Sequence, residues 1–244
     1  MKKTIILYVI MTLAALTGQA KTLIAYYSYT NNVERIVNEL CKQIEADVVE
    51  IEPAEKGLDY VANNYAIGSA LISAIRNNPN NPDSYPAIDP VNVNLGEYDT
   101  VIIGAPLWWS NMAAPMQTFL FQHGAEMAGK NIGLIVSSAS SGISGVEGDA
   151  KRLIPDGKFL TPSLWIRSSQ TSNAATLISD WLKAIGYESL AGIESVTGDY
   201  VTDKTMAIYN LSGQRIAGPR NLPKGIYIVR YKDGNMIQTK KIML

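Results

Sequence analysis

Five short runs between residues 22 and 169 read as strands, the first of them near-continuously apolar, and a segment of helical periodicity follows each. "TLIAYYS" (Thr22–Ser28) comes first, then "ADVVEIEP" (Ala46–Pro53), "YDTVIIGAP" (Tyr98–Pro106), "KNIGLIVSS" (Lys130–Ser138) and "SLWIRSS" (Ser163–Ser169). A strand that shows no apolar–polar alternation must be covered on both faces, which is the condition of a parallel sheet packed between helices. The intervening segments supply the helices. Val33, Ile36, Val37, Leu40 and Ile44 form one apolar stripe over Asn32–Ile44. Comparable periodicity runs through Gly57–Ile75, from Pro115 to Gln122, near Val146–Leu153 and over Asn173–Ile185. The pattern predicts a doubly wound α/β domain around a five-stranded parallel sheet with right-handed crossovers. Ligands of such sheets bind beyond the carboxyl ends of the strands.

The pattern changes after Gly186. "AIYNLSGQRI" and "GIYIVRYKDGNMIQTKKIML", with turn dipeptides Ser212-Gly213 and Asp233-Gly234, read as short antiparallel strands in a small all-β module. Charge divides the same way. Residues 21–204 carry 12 basic and 21 acidic side chains, a balance of −9, whereas residues 205–244 carry 7 basic and one acidic, a balance of +6. The expected organisation is an export segment at 1–20, an α/β domain at 21–187, a linker at 188–204 and the β-rich module at 205–244. An acidic main domain is a poor match for nucleic acid, whose phosphates demand a basic surface.

The single cysteine, Cys41, excludes an internal disulfide or a thiolate metal cluster, and the single histidine, His123, excludes a multi-histidine metal site. No metal site and no catalytic acid–base pair is expected. Any redox chemistry must come from an organic cofactor. At the N-terminus, Lys2 and Lys3 precede the apolar stretch Ile5–Leu16 and the small-residue sequence "TGQA". That order reads as a secretory signal cut after Ala20, the competing reading being a buried first strand. The stretch is too short to span a bilayer. The expected location is outside the cytoplasm: periplasm, cell surface or medium.

Three strand-to-helix loops fall at one edge of the predicted sheet. The first, "SYTNNV" (Ser28, Tyr29, Thr30, Asn31, Asn32, Val33), offers hydroxyls and helix-start amides. It reads either as an ordinary helix cap or as a cradle for a dianionic phosphate. The second holds Pro106, Leu107, Trp108, Trp109, Ser110 and Asn111. Neighbouring strand residues point to opposite faces, so at most one tryptophan can enter a core, and the pair is either incidental packing or a platform for a flat heterocycle. The third, with Ser138, Ala139, Ser140, Ser141 and Gly142, is a flexible surface loop or an amide-rich rim for the edge of a ring. A phosphate cradle, an aromatic platform and an amide rim together match flavin mononucleotide (FMN). FMN is expected over FAD, because the dinucleotide turn Gly-x-Gly-x-x-Gly is missing from the first loop.

These residues resemble the flavodoxin family, in the branch whose second loop reads Pro-Ile-Trp-Trp-Gly. The resemblance covers Lys21 to Tyr187. Ser28, Thr30 and Asn32 match the family's phosphate loop, with Asn31 standing for a glycine and Val33 for a threonine. Pro106, Trp108, Trp109, Met112, Pro115, Thr118, Phe119 and Leu120 match the second loop, where Ser110 replaces glycine. Residues 137–142 stand where the family has Thr-Ser-Gly-Gly-Ser-Gly. The last forty residues, through "IYNLSGQRI", "LPKGIYIV" and "TKKI", resemble the C-terminal sorting domain of the type IX secretion pathway of Bacteroidetes. The alternative for them is a generic stabilising β tail.

The resemblance implies an exported FMN protein that passes electrons to a redox partner protein or a small acceptor, with secretion machinery as a further partner. A nicotinamide-dependent quinone-type reductase is the enzymatic alternative, in which the Asn63–Tyr85 segment would wall an open site. A flavin-free surface binding module is the non-redox alternative.

Overall fold

A computed structural model describes residues 20–191, 193–195, 205–216, 222–223, 225–233 and 236–243. The export segment, Ala20 apart, lies outside them. The first strand, β1 (Thr22–Tyr26), is buried at every position, as its unbroken apolar run requires. Helix α1 (Asn32–Cys41) presents Val33, Ile36, Val37 and Leu40 to the core. Beyond Cys41 the Gln43 amide bonds the Leu40 carbonyl in a tighter three-residue turn, sharing that acceptor with the Ile44 amide, and the regular helix ends. β2 (Asp47–Glu50) follows, then α2 (Ala62–Asn77), then β3 (Thr100–Trp108).

The start of α2 departs from the periodicity, which points to Gly57. The Asp59 carboxylate accepts the Val61 and Ala62 amides at 2.9 and 3.2 Å and caps a turn there. Asn63, Asn64 and Tyr65 then take left-handed backbone angles, with φ of 51°, 56° and 63°. The regular helix therefore begins after Tyr65. Beyond β3 the chain folds back as β4 (Asn111–Met112), pairing Leu107 with Met112 and Trp108 with Asn111. The main domain continues through α3 (Ala114–His123), β5 (Asn131–Ser138), α4 (Ser144–Leu153), β6 (Lys158–Phe159), β7 (Leu164–Arg167), α5 (Ala174–Ala184) and α6 (Tyr187–Leu190).

Strand order is β2-β1-β3-β5, with β6 and β7 pairing successive stretches of β5. All of these pairings are parallel, and only the β3–β4 hairpin is antiparallel. Strand alternation sorts the core into two layers. Leu23, Ala25, Val101 and Ile103 face one cluster with Ile72, Phe119 and Val146 of α2, α3 and α4. Ile24, Tyr26 and Ile102 face another with Ile36, Val37, Ile178 and Trp181 of α1 and α5. Because β1, β3 and β5 run the same way, the loops after them emerge at one edge.

A second sheet holds β8 (Ile193–Ser195), β9 (Thr205–Tyr209), β10 (Arg215–Ile216), β11 (Ile226–Asp233) and β12 (Met236–Met243), in the order β10-β9-β11-β12-β8. Its pairs are antiparallel except β12 with β8. The β9–β10 hairpin falls at the expected Ser212-Gly213 dipeptide, where Gly213 has the positive φ, 78°, that its turn needs; Gly234, of the second expected dipeptide, lies outside the described residues. Ile208, Tyr227, Val229 and Ile242 make a small core. Of the expected linker at 188–204, residues 188–190 supply the end of α6 and residues 193–195 all of β8, while residues 192 and 196–204 lie outside the described residues. The second sheet touches the first domain where Ile226 packs on the α1–α5 layer and Lys241 pairs with Glu45 at 3.1 Å.

Candidate functional site

At the shared edge of the sheet the loops after β1, β3 and β5 enclose a pocket of about 460 Å³, within the range of small-molecule sites. Eleven of the seventeen sequence-predicted residues line it: Ser28, Tyr29, Thr30, Asn32 and Val33; Pro106, Leu107, Trp108 and Trp109; Ser138 and Ala139. Asn31, Ser110, Asn111, Ser140, Ser141 and Gly142 do not.

The first loop organises itself. Ser28 Oγ accepts the Glu34 amide at 3.2 Å, and the Asn31 carbonyl accepts the Arg35 amide at 3.0 Å. The amides before them are those a helix cannot pair internally. Asn31 makes no side-chain cap; its part is the left-handed turn, φ 59°, that aims the chain into α1. The Asn32 side-chain amide donates to Thr30 Oγ1 at 3.1 Å. A hydroxyl that accepts in this way keeps its own proton to donate. The cradle is neutral, because the pocket wall contains no lysine, arginine or histidine.

The second loop is a two-residue hairpin with positive φ at both central residues, Trp109 (45°) and Ser110 (65°). Asparagine and glycine are the residues that favour that turn, and a bulky side chain there is strained. Remote groups hold it. Arg76 donates through Nε to Asn111 Oδ1 at 2.7 Å and through Nη2 to the Trp109 carbonyl. Buried Asp149 accepts from the Asn111 amide and the Met112 backbone amide, both at 2.9 Å, and pairs with Arg152. Gly145 lies flush on the turn: a Cβ there would stand 1.9 Å from the Ser110 carbonyl oxygen. Asn111 is thus turned into this clamp and away from the pocket.

The two tryptophan rings meet edge to face, with centroids 6.5 Å apart, and both border the pocket. Trp108 sits among Tyr27, Tyr29 and Tyr60, with ring centroids at 5.8, 6.3 and 4.8 Å. Trp109 remains 41% exposed and lies across Gly68, where a Cβ would come within 2.9 Å of its ring. In the third loop Ser138 Oγ accepts from Trp165 Nε1 at 2.8 Å and donates to the Ser141 carbonyl at 2.9 Å. That bond fixes the rim at Ser138 and Ala139, while residues 140–142 turn off the wall.

A further wall comes from residues 60–68, with Tyr60, Val61, Tyr65 and Gly68, and Ser137 and Ser168 complete the lining. Of the expected Asn63–Tyr85 wall, Tyr65 and Gly68 take part. Farther along, Tyr85 instead stacks on Phe121 at 4.2 Å. Asp59 ties the new wall to the first loop by accepting from Tyr29 Oη at 3.3 Å. The aromatic content of "LDYVANNYAIG" was the available signal for it. Burial raises the pKa of Tyr27 well above the ordinary tyrosine value, and burial followed by the nearby Glu55 carboxylate raises that of Tyr60. Tyr60 is 4% exposed, and its hydroxyl has no hydrogen-bond partner among the described residues. A neutral anion cradle beside an aromatic wall fits a ligand that is flat at one end and anionic at the other. Among the described residues no cluster of His, Cys, Asp or Glu could hold a metal ion.

The doubly wound sheet and this three-loop pocket define a flavodoxin-like α/β protein. The flavodoxin family model matches residues 21–185, and the chain belongs to the flavodoxin family. Solved structures agree. A candidate flavoprotein from Bacteroides eggerthii is 27% identical over 68% of this chain and 98% of its own, with a TM-score of 0.55. One from Bacteroides uniformis is 25% identical, covering 66% of this chain and 98% of its own, with a TM-score of 0.53. A Lactobacillus acidophilus flavoprotein, crystallised in complex with FMN, shares the fold at 20% identity and a TM-score of 0.50, over 64% of this chain and 99% of its own.

Proposed function

We propose that this chain is an exported electron-transfer flavoprotein whose cofactor is FMN. One observation carries the reading: a single pocket joins a neutral hydroxyl-and-amide turn at a helix start to a tryptophan–tyrosine wall. Thr30, Ser28 and the first amides of α1 would hold the phosphate, Trp108 and Trp109 would bound the ring, and Ser138 with Ala139 would border its edge. The flavin supplies the redox chemistry; the chain binds it, orients it and screens it from water. Val61, Tyr65 and Trp109 leave 41–48% of their surfaces exposed at the rim, which suits exchange with a partner protein or a small acceptor. The net acidity of the domain and the apolar ring contacts disfavour a reduced, anionic flavin, giving a low potential.

Export rests on the N-terminal segment, and a secretion address on the resemblance of residues 205–244 to a sorting domain. Titrating apoprotein with FMN and FAD tests the cofactor: tight binding of FMN with weak binding of FAD is expected, and the reverse would overturn it. N-terminal sequencing of protein from its native cell should begin near Lys21, and a retained Met1 on cytosolic protein would overturn export. Deleting residues 205–244 should change the final location and leave the flavin spectrum in place, because every pocket residue precedes Thr171.

A further inference from the structure

We propose that Gly68 is a positioning residue for the flavin ring, acting through Trp109. Bare backbone at this point of α2 lets the Trp109 ring lie against the helix and border the pocket. This rests on the FMN reading. Glycine is otherwise a poor choice there. Gly68 lies in the regular part of α2, beyond Tyr65, and its φ is outside the left-handed region that Gly57, Gly129, Gly186 and Gly213 occupy. Its backbone makes no demand for glycine, and alanine is the better helix former. Alanine is opposed by a neighbour. A Cβ at residue 68 would stand 2.9 Å from Trp109 Cζ3 and 3.1 Å from Trp109 Cη2, with Trp108 Cε3 in ordinary contact at 3.7 Å.

The indole ring, rather than the main chain, must give way to such a methyl group. Arg76 holds the Trp109 carbonyl and the Asn111 side chain, and Gly145 closes on the Ser110 carbonyl. The ring itself meets Tyr65 and Trp108 edge to face, at 6.3 and 6.5 Å, and the residue is 41% exposed. Alanine at 68 would therefore push the ring off α2 and leave the fold intact. Gly68, Trp108 and Trp109 line one pocket, so the displacement falls on the surface that would bound the flavin. The close approach is made by the far edge of the indole, Cζ3 and Cη2. A phenylalanine ring at 109 ends short of those atoms and would remove the conflict.

The test compares apoproteins of wild type, Gly68→Ala, Trp109→Phe and the double variant, titrated with FMN and with lumiflavin, which keeps the ring and lacks the ribityl phosphate. Urea unfolding serves as the fold control. Gly68→Ala is expected to raise Kd about three- to tenfold for both ligands, with a urea midpoint no lower than that of wild type. Added to Trp109→Phe, the same change should move Kd by less than about twofold. Unchanged affinity in Gly68→Ala would overturn the proposal, because the placement of the Trp109 ring would not matter. An equal loss in both backgrounds would also overturn it, since the methyl group would then meet the ligand itself. A loss for FMN alone would overturn it by placing the effect at the phosphate. A lower urea midpoint for Gly68→Ala would overturn it as well, making Gly68 a packing residue of the fold. Failure of wild type to bind FMN would instead sink the cofactor reading beneath it.

Discussion

Residues 28–33 and residues 106–112 border the same pocket and are held in contrasting ways. The bonds that turn the first loop into α1 lie within a few residues, Ser28 to Glu34, Thr30 to Asn32 and Asn31 to Arg35, and only the Tyr29 hydroxyl reaches farther, to Asp59. The second is shaped from a distance. Arg76 reaches it across 33 to 35 positions and Asp149 across 37 to 38, and Gly145 closes on its back. The first loop is therefore largely a local property of its own sequence. The tryptophan turn is a tertiary property, whose strained Trp109-Ser110 backbone persists because α2 and α4 over-determine it.

The largest expected effect breaks the remote half of this contrast. Asp149→Ala leaves the Met112 amide, the Asn111 side chain and Arg152 without their shared acceptor, and should cost about 3 kcal/mol of stability, read as a lower urea midpoint. FMN affinity should fall with it. A variant as stable as wild type would show that Asp149 does not hold the turn. Thr30→Val should act on the local half alone. Losing a hydroxyl bond to a charged phosphate should weaken FMN binding by about 2 kcal/mol, roughly 30-fold, with apoprotein stability unchanged. Cys41→Ala, at the far end of α1, should leave FMN affinity as it is, and equal affinities for the two variants would remove the cradle.

A smaller change should sharpen the first loop. Asn31→Gly relieves the left-handed residue and should stabilise the apoprotein by about 0.5 kcal/mol, visible as a small rise in Tm; a loss would mean that the Asn31 side chain has a task. The last expected effect is nil over a wide range. Unfolded tyrosines ionise near pH 10, whereas burial raises Tyr27 and Tyr60, and burial with the Asp47 hydrogen bond pushes Tyr98 up to about 12. Because the folded state keeps these protons longer, their contribution is fully present below about pH 10 and declines as pH rises above it. Lumiflavin affinity should be flat from about pH 7 to 9, and a drop in that window would mean that one of these hydroxyls ionises early.

The contrast also explains what could be read in advance. The parallel sheet was legible because its central strands β1, β3 and β5 are apolar runs buried on both faces, and the first loop because its hydrogen bonding is largely local. The pair of tryptophans was legible as a feature of this sheet edge, where both line the pocket, but not the direction of Asn111, which Asp149 decides from another helix. Helical spacing through Gly57–Ile75 concealed the Asp59 cap and the left-handed turn at 63–65, whose only local signal is the Asn63-Asn64 pair, because the apolar spacing continues through it. The wall around Tyr60 was lost with them. Strand β8 was hidden inside an expected linker because its partner is β12, more than forty residues on.

That last pairing bears on the order of synthesis. β8 joins its sheet only through residues 241–243 of β12, so Ile193–Ser195 must wait until those residues have been made. At about 5–20 residues per second, the α/β domain has several seconds in which its own strands are complete while β8 has an unpaired edge. Such an edge invites pairing with other chains.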